Sequence, residues 1–266
     1  MTTNPSISVI VVNYQRAKSL DLCLWGLEQQ TVPYELIVTD DGSTDESARV
    51  AVHHQATLIT APHQDWGIAP ARWRGAQVAT GDLLVFVDSD VVLAPWSLEA
   101  YRVAYMRNPN RALGGYCKFL PAMEITTPEW TRLWQEDYEK VELNQGHIAI
   151  SKDPREAKGQ MYLFADPDQT WPQPFSLISC NMAVPRHVYE DVGGWNRTLA
   201  GRGEDGEFSL RLALAGHQFS YLIEAQGVHL AHPVLPYAGP DPMAYLTKQF
   251  PHCFENGQLH WPPKTE

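Results

Sequence analysis

Short runs of consecutive apolar residues recur through the first ninety residues of the chain: ISVIVV at 7–12, LIVT at 36–39 and LLVFV at 83–87. Strands of a parallel sheet read this way because helices cover both of its faces. Helical periodicity separates the runs, as in Leu20, Cys23, Leu24 and Leu27, which recur at a spacing of three and four. The alternation predicts successive βα units, and therefore an α/β fold with a mostly parallel sheet and helices on both faces.

Polar residues follow each of the three runs: Asn13 and Tyr14, then Asp40 and Asp41, then Asp88 and Asp90. Any one of these clusters is typical of a turn, since Asp, Asn and Ser hydrogen-bond to their own backbone. The carboxyl ends of parallel strands meet at one edge of a sheet, however, and ligands bind there. Together the clusters predict a binding site at this edge.

Other signals set the expected boundaries of the first half. The segment 43-STDE-46 has the spacing of a capping box and predicts a helix from there to about His54. A strand is expected at 58–60 and a helix at 70–79. Residues 116–175 are less regular and predict an insertion, with a helix at Pro128–Leu143 and a mobile polar segment at 151–159.

The second half returns to regular patterns. We expect a strand at 177–184, a helix beginning at Pro185, and a helix within 201–216 that Gly216 terminates. Phe208, Leu212 and Ala215 would form the buried face of that last helix. A strand at 219–224 leads to 227-GVHLAHP-233, and residues 241–266 form a tail.

Composition excludes several classes of protein. A net charge of -11 argues against a nucleic-acid partner, because such proteins present a basic face. The four cysteines are far apart, which favours reduced core thiols and a cytoplasmic location. The chain starts without a signal-peptide pattern and has no apolar run of membrane-spanning length. We expect no integral membrane segment, while peripheral attachment through aromatic residues stays open.

The acidic residues after the third run suggest a metal site. Asp88 and Asp90, two apart on an extended strand end, could face one hard cation such as Mg²⁺ or Mn²⁺. That cation would let an acidic protein bind a nucleotide diphosphate. His229 and His232 follow a later strand, and either imidazole would suit Mn²⁺ beside Asp90, although histidine pairs are more often structural. No P-loop and no dinucleotide fingerprint follows any strand.

A second acidic pair, Glu204 and Asp205, opens the predicted helix in 201–216. Acidic residues in a first turn can simply complement the helix dipole. Nearby glycines, Gly201, Gly203 and Gly206, would let the backbone approach a ligand, so a carboxylate here is also a candidate general base.

Several segments in this order resemble the metal-dependent GT-A glycosyltransferases of family 2: VIVVNYQR at 9–16, ELIVTDDGSTD at 35–45, GIAPARWRGAQVATGDLLVFVDSD at 67–90, CNMAVPRHVYEDVGGWN at 180–196, GRGEDGEFSLRL at 201–212 and VHLAHP at 228–233. The later segments are most similar to bacterial chondroitin-polymerase and galactosyltransferase-type domains. The resemblance implies an inverting enzyme that uses a nucleotide diphosphate sugar and a glycan or glycoconjugate acceptor.

For the donor, the resemblance implies that the Val12 backbone and the Asp40 side chain hold the base, usually uracil, and the ribose. Tyr14 and Arg72 would line the same pocket. Further substrate-binding residues would be Gly67, Asp88, Ser89, Arg202 and Gly203. Two positions depart from the family pattern: Trp73 replaces the Asn of ARN, and Arg202 replaces a Trp that could stack on an acceptor sugar.

For the chemistry, the resemblance implies that Asp90 and His229 bind Mn²⁺ or Mg²⁺, with Asp88 contacting the ribose or a metal-bound water. Asp205, with Glu204 beside it, would be the catalytic base.

The same resemblance implies a single domain over 1–266, with a nucleotide-sugar-binding half at 1–115 and an insertion or lid at 116–175. An acceptor and catalytic half would cover 176–240, followed by the tail. Two alternatives stay open. One is a catalytically inactive sugar-nucleotide or glycan binding module. The other is a sugar-1-phosphate nucleotidyltransferase, which is disfavoured because 13-NYQRAKS-19 has no glycine.

Overall fold

A computed structural model describes residues 4–63, 67–120, 177–199, 203–230, 241–255 and 258–259. The predicted helix at Pro128–Leu143 and the polar segment at 151–159 lie outside these residues. The first half contains β1 (Ile7–Asn13), α1 (Ala17–Glu28), β2 (Glu35–Asp40), α2 (Ser47–His53), β3 (Thr57–Thr60), α3 (Ile68–Val78) and β4 (Leu83–Asp88). Its strands pair in parallel in the order β3-β2-β1-β4, which confirms the prediction of βα units.

The second half begins with β5 (Val91–Leu93), α4 (Ser97–Arg107) and β6 (Arg111–Leu120), so residues 116–120, expected to open the insertion, belong to a strand. It continues with β7 (Asn181–Pro185), α5 (Arg186–Asp191), α6 (Glu204–Leu214), β8 (Gln218–Leu230), α7 (Pro242–Gln249), a 3-10 turn at Pro251–Cys253, β9 (Phe254–Glu255) and β10 (Gln258–Leu259). Strand β7 pairs antiparallel with both β4 and β6, while β6 pairs in parallel with β8.

The main sheet has eight strands in the order β3-β2-β1-β4-β7-β6-β8-β5. Strand β4 lies in its middle and β5 at one edge, yet Ser89 and Asp90 alone separate the two in sequence. The sheet must therefore curl so that its far edge returns to the end of β4. A register shift between β6 and β8 marks the bend, since Gly115 pairs with Leu222 and Tyr116 with Gln226. Such irregularities increase local twist and curvature.

Alternate residues of the central strands fill two apolar layers. Val9 and Val11 of β1 pack on one face with Leu24 of α1, while Ile10 packs on the other with Phe208 of α6. This arrangement confirms the expected helices on both faces. Cys23, Cys117, Cys180 and Cys253 are all buried, as expected for core thiols. Within the described part of the chain, no helix has the length and apolar character needed to cross a bilayer.

Several local predictions were wrong or displaced: β7 begins at Asn181 and not at 177, and three further differences concern the ends of helices. Helix α2 begins at Ser47, and the Ser43 hydroxyl donates to Asp40 instead of capping it. The Asp45 carboxylate, two residues after Ser43, accepts from the Ser47 amide at 3.1 Å. Ala215 is exposed at the end of α6, although Gly216 terminates the helix as expected, with a φ of +84°.

The third difference concerns Pro185, which closes β7 with a φ of -55° and a ψ of 137°. Its extended conformation keeps it one residue outside α5, so the helix starts at Arg186.

Candidate active site

The carboxyl ends of β1, β2 and β4 meet at one rim of the sheet. Asn13 is in register with Asp40, and its side-chain amide donates to the Asp40 carboxylate at 2.8 Å. The Ser43 amide and hydroxyl donate to the same carboxylate at 2.8 and 2.6 Å. Val12 is in register with Asp88, and its carbonyl accepts from the Ser89 amide at 3.2 Å. The structure thus brings the predicted donor-side residues of these strands together.

Beside this rim lies a second buried acid, Asp41. Its carboxylate contacts His63 Nδ1 at 3.0 Å and accepts from Arg74 at 3.2 Å. Burial raises the pKa of Asp41 although His63 and Arg74 oppose the shift. A Cβ at Gly67 would lie 2.5 Å from Asp41 Oδ1, so a side chain at this position would displace the Asp41 carboxylate.

Tyr14 stacks on the imidazole of His63, with ring centroids 4.1 Å apart and planes 6° from parallel. The sequence pointed to Tyr14 through the family pattern. The sequence contained no signal for His63 or Arg74, because their contacts with Asp41 depend on how a loop and helix α3 pack in the fold.

Arg72 contacts both the end of β4 and the start of α6. Its side chain is 1% exposed, and its two terminal nitrogens donate to Asp88 Oδ1 at 2.7 Å and to Glu204 Oε1 at 2.8 Å. The guanidinium carbon lies 5.1 Å from the centre of the Trp195 ring. Burial acts to lower the pKa of Arg72, but the charges of Asp88 and Glu204 outweigh it and raise it.

The placement of Arg72 differs from the expectation that it lines a pocket with Tyr14. Tyr14 lies against His63, whereas the Arg72 guanidinium is held between two carboxylates and an indole ring in the interior. A buried cation needs such partners, and the acidic strand end and acidic helix start supply them.

Glu204 and Asp205 are the first two residues of α6, directly after Gly203, whose φ is +87°. Burial and the neighbouring Asp205 charge raise the pKa of Glu204, while Arg72 opposes them. Burial also raises the pKa of Asp205, with the nearby charge of Asp88 acting in the same direction and Arg72 against it. Asp205 is the more exposed of the pair, and Glu204 is bound to Arg72.

Asp90 and His229 meet where the curled sheet closes. Val91 pairs with His229 in the antiparallel β5–β8 ladder, and the Leu230 amide donates to the Asp90 carbonyl at 2.8 Å. As a result, His229 Nε2 lies 3.4 Å from Asp90 Oδ1, and Arg16 Nε lies 3.8 Å from Asp90 Oδ2. The sequence predicted the first of these neighbours and gave no sign of the second.

The Asp90–His229 pair suits a divalent ion in part. Two adjacent ligands of an octahedral ion with bonds of about 2.1 Å lie about 3 Å apart, close to the observed separation. The described ranges, however, contain no group of three or more His, Cys, Asp or Glu side chains arranged to hold a metal. A bound ion would need further ligands besides this pair. His232 and Arg202 lie outside the described residues.

The premise that Asp88 and Asp90 project together from an extended strand was wrong. Residues 89–90 form a turn, and the two carboxylates have separate partners, Arg72 for Asp88 and His229 with Arg16 for Asp90. A turn was favoured by Ser and Asp themselves. Because of this turn, Asp88 contacts the buried Arg72 while Asp90 lies at the candidate ion site.

A curled, mostly parallel sheet with this acidic rim is the GT-A architecture of glycosyltransferases. The model of glycosyl transferase family 2 matches residues 8–152, more than half of the chain, and the chain belongs to that family.

Validoxylamine A glucosyltransferase from Streptomyces hygroscopicus subsp. jinggangensis is 25% identical over 253 residues, covering 86% of this chain and 56% of the relative. The chain thus spans about half the length of the curated relatives it matches.

Solved structures share the fold at low identity. Staphylococcus aureus TarS 1-349 in complex with UDP-GlcNAc superposes with a TM-score of 0.62 at 18% identity, covering 86% of this chain and 60% of that one. The mannosyltransferase PcManGT from Pyrobaculum calidifontis, in complex with GDP-Man and Mn²⁺, has a TM-score of 0.59 at 18% identity, with coverages of 93% and 61%.

Proposed function

We propose that this chain transfers a sugar from a nucleotide diphosphate sugar, a UDP-sugar in the first instance, to a hydroxyl of a glycan or glycoconjugate acceptor, with inversion at the anomeric carbon. One observation carries the proposal. Arg72 contacts both Asp88 at the end of β4 and Glu204 at the start of α6, so the candidate base Asp205 lies at the same rim as the strand ends. The complexes of TarS with UDP-GlcNAc and of PcManGT with GDP-Man support the donor class.

The donor's base and ribose would bind at the ends of β1 and β2. Asp40 is buried and already accepts from Asn13 and Ser43, which fixes its carboxylate in one orientation. A fixed acceptor at the rim suits the N–H and O–H donors of uracil and ribose. The Tyr14 ring, stacked on His63, offers an aromatic surface beside it.

Asp90 and His229 are the residues that would hold Mn²⁺ or Mg²⁺, since a carboxylate oxygen and an imidazole nitrogen 3.4 Å apart suit these ions. When bound, such an ion supplies positive charge that stabilises the departing diphosphate. Arg16, 3.8 Å from Asp90, adds a fixed positive charge at the same place.

Asp205 is the proposed general base. It would take the proton of the acceptor hydroxyl while that oxygen bonds to the anomeric carbon and the bond to the diphosphate breaks on the opposite face. The raised pKa of Asp205 brings its basicity closer to neutral pH, which favours proton transfer. Glu204 is unsuited to this step because its carboxylate is buried and accepts from Arg72 at 2.8 Å.

The test is release of nucleotide diphosphate from UDP-glucose, UDP-GlcNAc, UDP-galactose and GDP-mannose, with Mn²⁺, with Mg²⁺ and with EDTA. We expect at least one donor to release nucleotide diphosphate, and we expect EDTA to suppress that release. Asp205→Asn should lower turnover by about 10²- to 10⁴-fold, the usual contribution of general base catalysis. The variant should keep the donor-induced rise in melting temperature.

Each alternative has its own signature. Donor binding without turnover, unchanged by Asp205→Asn, would indicate an inactive binding module. Release of pyrophosphate when a sugar 1-phosphate and a nucleoside triphosphate replace the nucleotide sugar would indicate a nucleotidyltransferase. Failure to bind or cleave any donor would refute the proposal.

A further inference from the structure

The donor-side strand β4 and the helix that carries Asp205 are joined through one buried cation. Arg72 is 1% exposed, Glu204 is 9% exposed at its side chain, and Asp88 is 22% exposed. The indole of Trp195 packs against the guanidinium at 5.1 Å and closes the cluster from another side. Of the three charged groups, Asp88 is therefore the one that a donor at the rim can reach.

This geometry fixes distances because of the chemistry of arginine. A guanidinium is planar, and its donors point in set directions, so two carboxylates bound to it are held at a set separation and angle. In a buried setting neither carboxylate can leave without exposing an unpaired charge to a low dielectric. Asp88 and Glu204 are thus held at a fixed position relative to each other.

Glu204 precedes Asp205 directly in the first turn of α6, so fixing Glu204 also fixes the backbone from which Asp205 projects. The Ser179 hydroxyl lies 3.5 Å from Glu204 Oε1, and the Ser179 amide hydrogen-bonds to Asp205, which adds a second hold on the same turn. A shift of Asp88 would therefore reach Asp205 through Arg72 and Glu204.

We propose that Arg72 and Glu204 are positioning residues that couple the donor side of the site to the placement of Asp205. This inference rests on the proposed transferase function. Glu204 takes no proton from the acceptor in this scheme. Its carboxylate holds the start of α6 against the guanidinium, and contact between the donor and Asp88 acts on the base through that link.

The same helix offers a matched control. Glu207 is more buried than Glu204, with its side chain 4% exposed against 9%, and both of its carboxylate oxygens accept from Arg211, at 2.8 Å each. Glu207→Gln therefore weakens a comparable ion pair on α6 without contact to Arg72. A loss caused by general destabilisation of the helix should appear in both Glu204→Gln and Glu207→Gln.

The experiment measures kcat and donor KM from UDP release with Mn²⁺, together with Tm, for Glu204→Gln, Arg72→Lys, their combination and Glu207→Gln. We expect kcat of the two single variants to fall by about 10- to 100-fold, the scale of a misplaced catalytic group. Donor KM should stay within about threefold, because the substitutions change the position of Asp205 and have little effect on how the donor binds. The double variant should be little worse than the worse single one, since both act through one link. Glu207→Gln should lower Tm and leave kcat within about twofold.

Several outcomes would overturn the inference while the transferase function stands. These are an active wild type with equal kcat losses in Glu204→Gln and Glu207→Gln, a wild-type kcat in Arg72→Lys, or losses that simply add in the double variant. If Glu204→Gln fails to fold, Arg72→Lys, which keeps the buried charge, decides alone. A wild type that releases no UDP from any donor refutes both proposals.

Discussion

Gly203 and Gly216 flank the two ends of α6 and allow a matched substitution test. Both have left-handed backbones, with φ values of +87° and +84°. They differ in their surroundings. A Cβ at Gly203 would lie 2.6 Å from Pro242 Cβ, whereas a Cβ at Gly216 would have no heavy atom within 4 Å. Substitution by alanine imposes the same backbone penalty at both positions and a steric clash at Gly203 alone.

The expected magnitudes follow from these contacts. An L-residue in the left-handed region costs about 1–2 kcal/mol, which sets the loss for Gly216→Ala. At Gly203 the new carbon is about 1 Å inside the normal carbon–carbon contact distance of about 3.5–4.0 Å. Relief of such overpacking adds about 1–3 kcal/mol. We therefore expect Gly203→Ala to lose about 2–5 kcal/mol of unfolding free energy, against about 1–2 kcal/mol for Gly216→Ala.

Urea denaturation followed by tryptophan fluorescence measures the stabilities, and UDP release per folded molecule measures turnover. The clash lies next to Glu204 and Asp205, so Gly203→Ala should lower turnover, by up to about 100-fold if Asp205 moves by 1 Å. Gly216→Ala should keep wild-type turnover. Equal stability losses in the two variants, or full activity of Gly203→Ala, would refute this reasoning.

Three further predictions concern the ion site and the ionisable groups. His229→Ala should weaken Mn²⁺ binding at least about tenfold in calorimetric titrations with UDP present, since even outer-sphere partners of metal sites change affinity by about 10- to 100-fold; unchanged Mn²⁺ affinity would contradict the assignment. Burial raises the pKa of Asp205, and this proposed base must be deprotonated to act, so kcat should fall with falling pH at a midpoint above the ordinary aspartate value of about 3.9. Burial acts to raise the pKa of Glu35, but hydrogen bonds from Ser8 and Thr80 outweigh it and lower the pKa. The stabilisation that these hydrogen bonds give the folded protein is present above the unfolded carboxyl pKa of about 4.3 and is lost as pH falls through the lower folded pKa. Glu35→Gln should accordingly show a shallower decline of Tm between pH 5 and pH 3 than the wild type, as checked by calorimetry.

The parallel half of the fold was predictable because local signals agree there. The runs at 7–12, 36–39 and 83–87 became β1, β2 and β4, each within two residues of the expected limits. A buried strand must be apolar throughout, so its position shows in any single stretch of sequence. The acidic strand ends were recognisable for the same reason.

Contacts between distant segments explain what could not be predicted. The family resemblance implied that His229 lies beside Asp90, but no local pattern showed it, because the pairing of β5 with β8 depends on a curl that involves β6 and β8 together. Arg72 was assigned to a pocket because the family pattern carries residue types and not environments. Its two partners lie 16 and 132 positions away along the chain.

The bend of the sheet makes the rim sensitive to a residue well inside the protein. At the register shift, a Cβ on Gly115 would lie 2.3 Å from both the Asn181 amide nitrogen and the Tyr101 hydroxyl. Asp90 and His229 come together because the sheet bends, and Gly115 lies at that bend. A bulkier residue at Gly115 would displace Asn181 or Tyr101 and alter the bend, and so would disturb the contact between Asp90 and His229 without touching either residue.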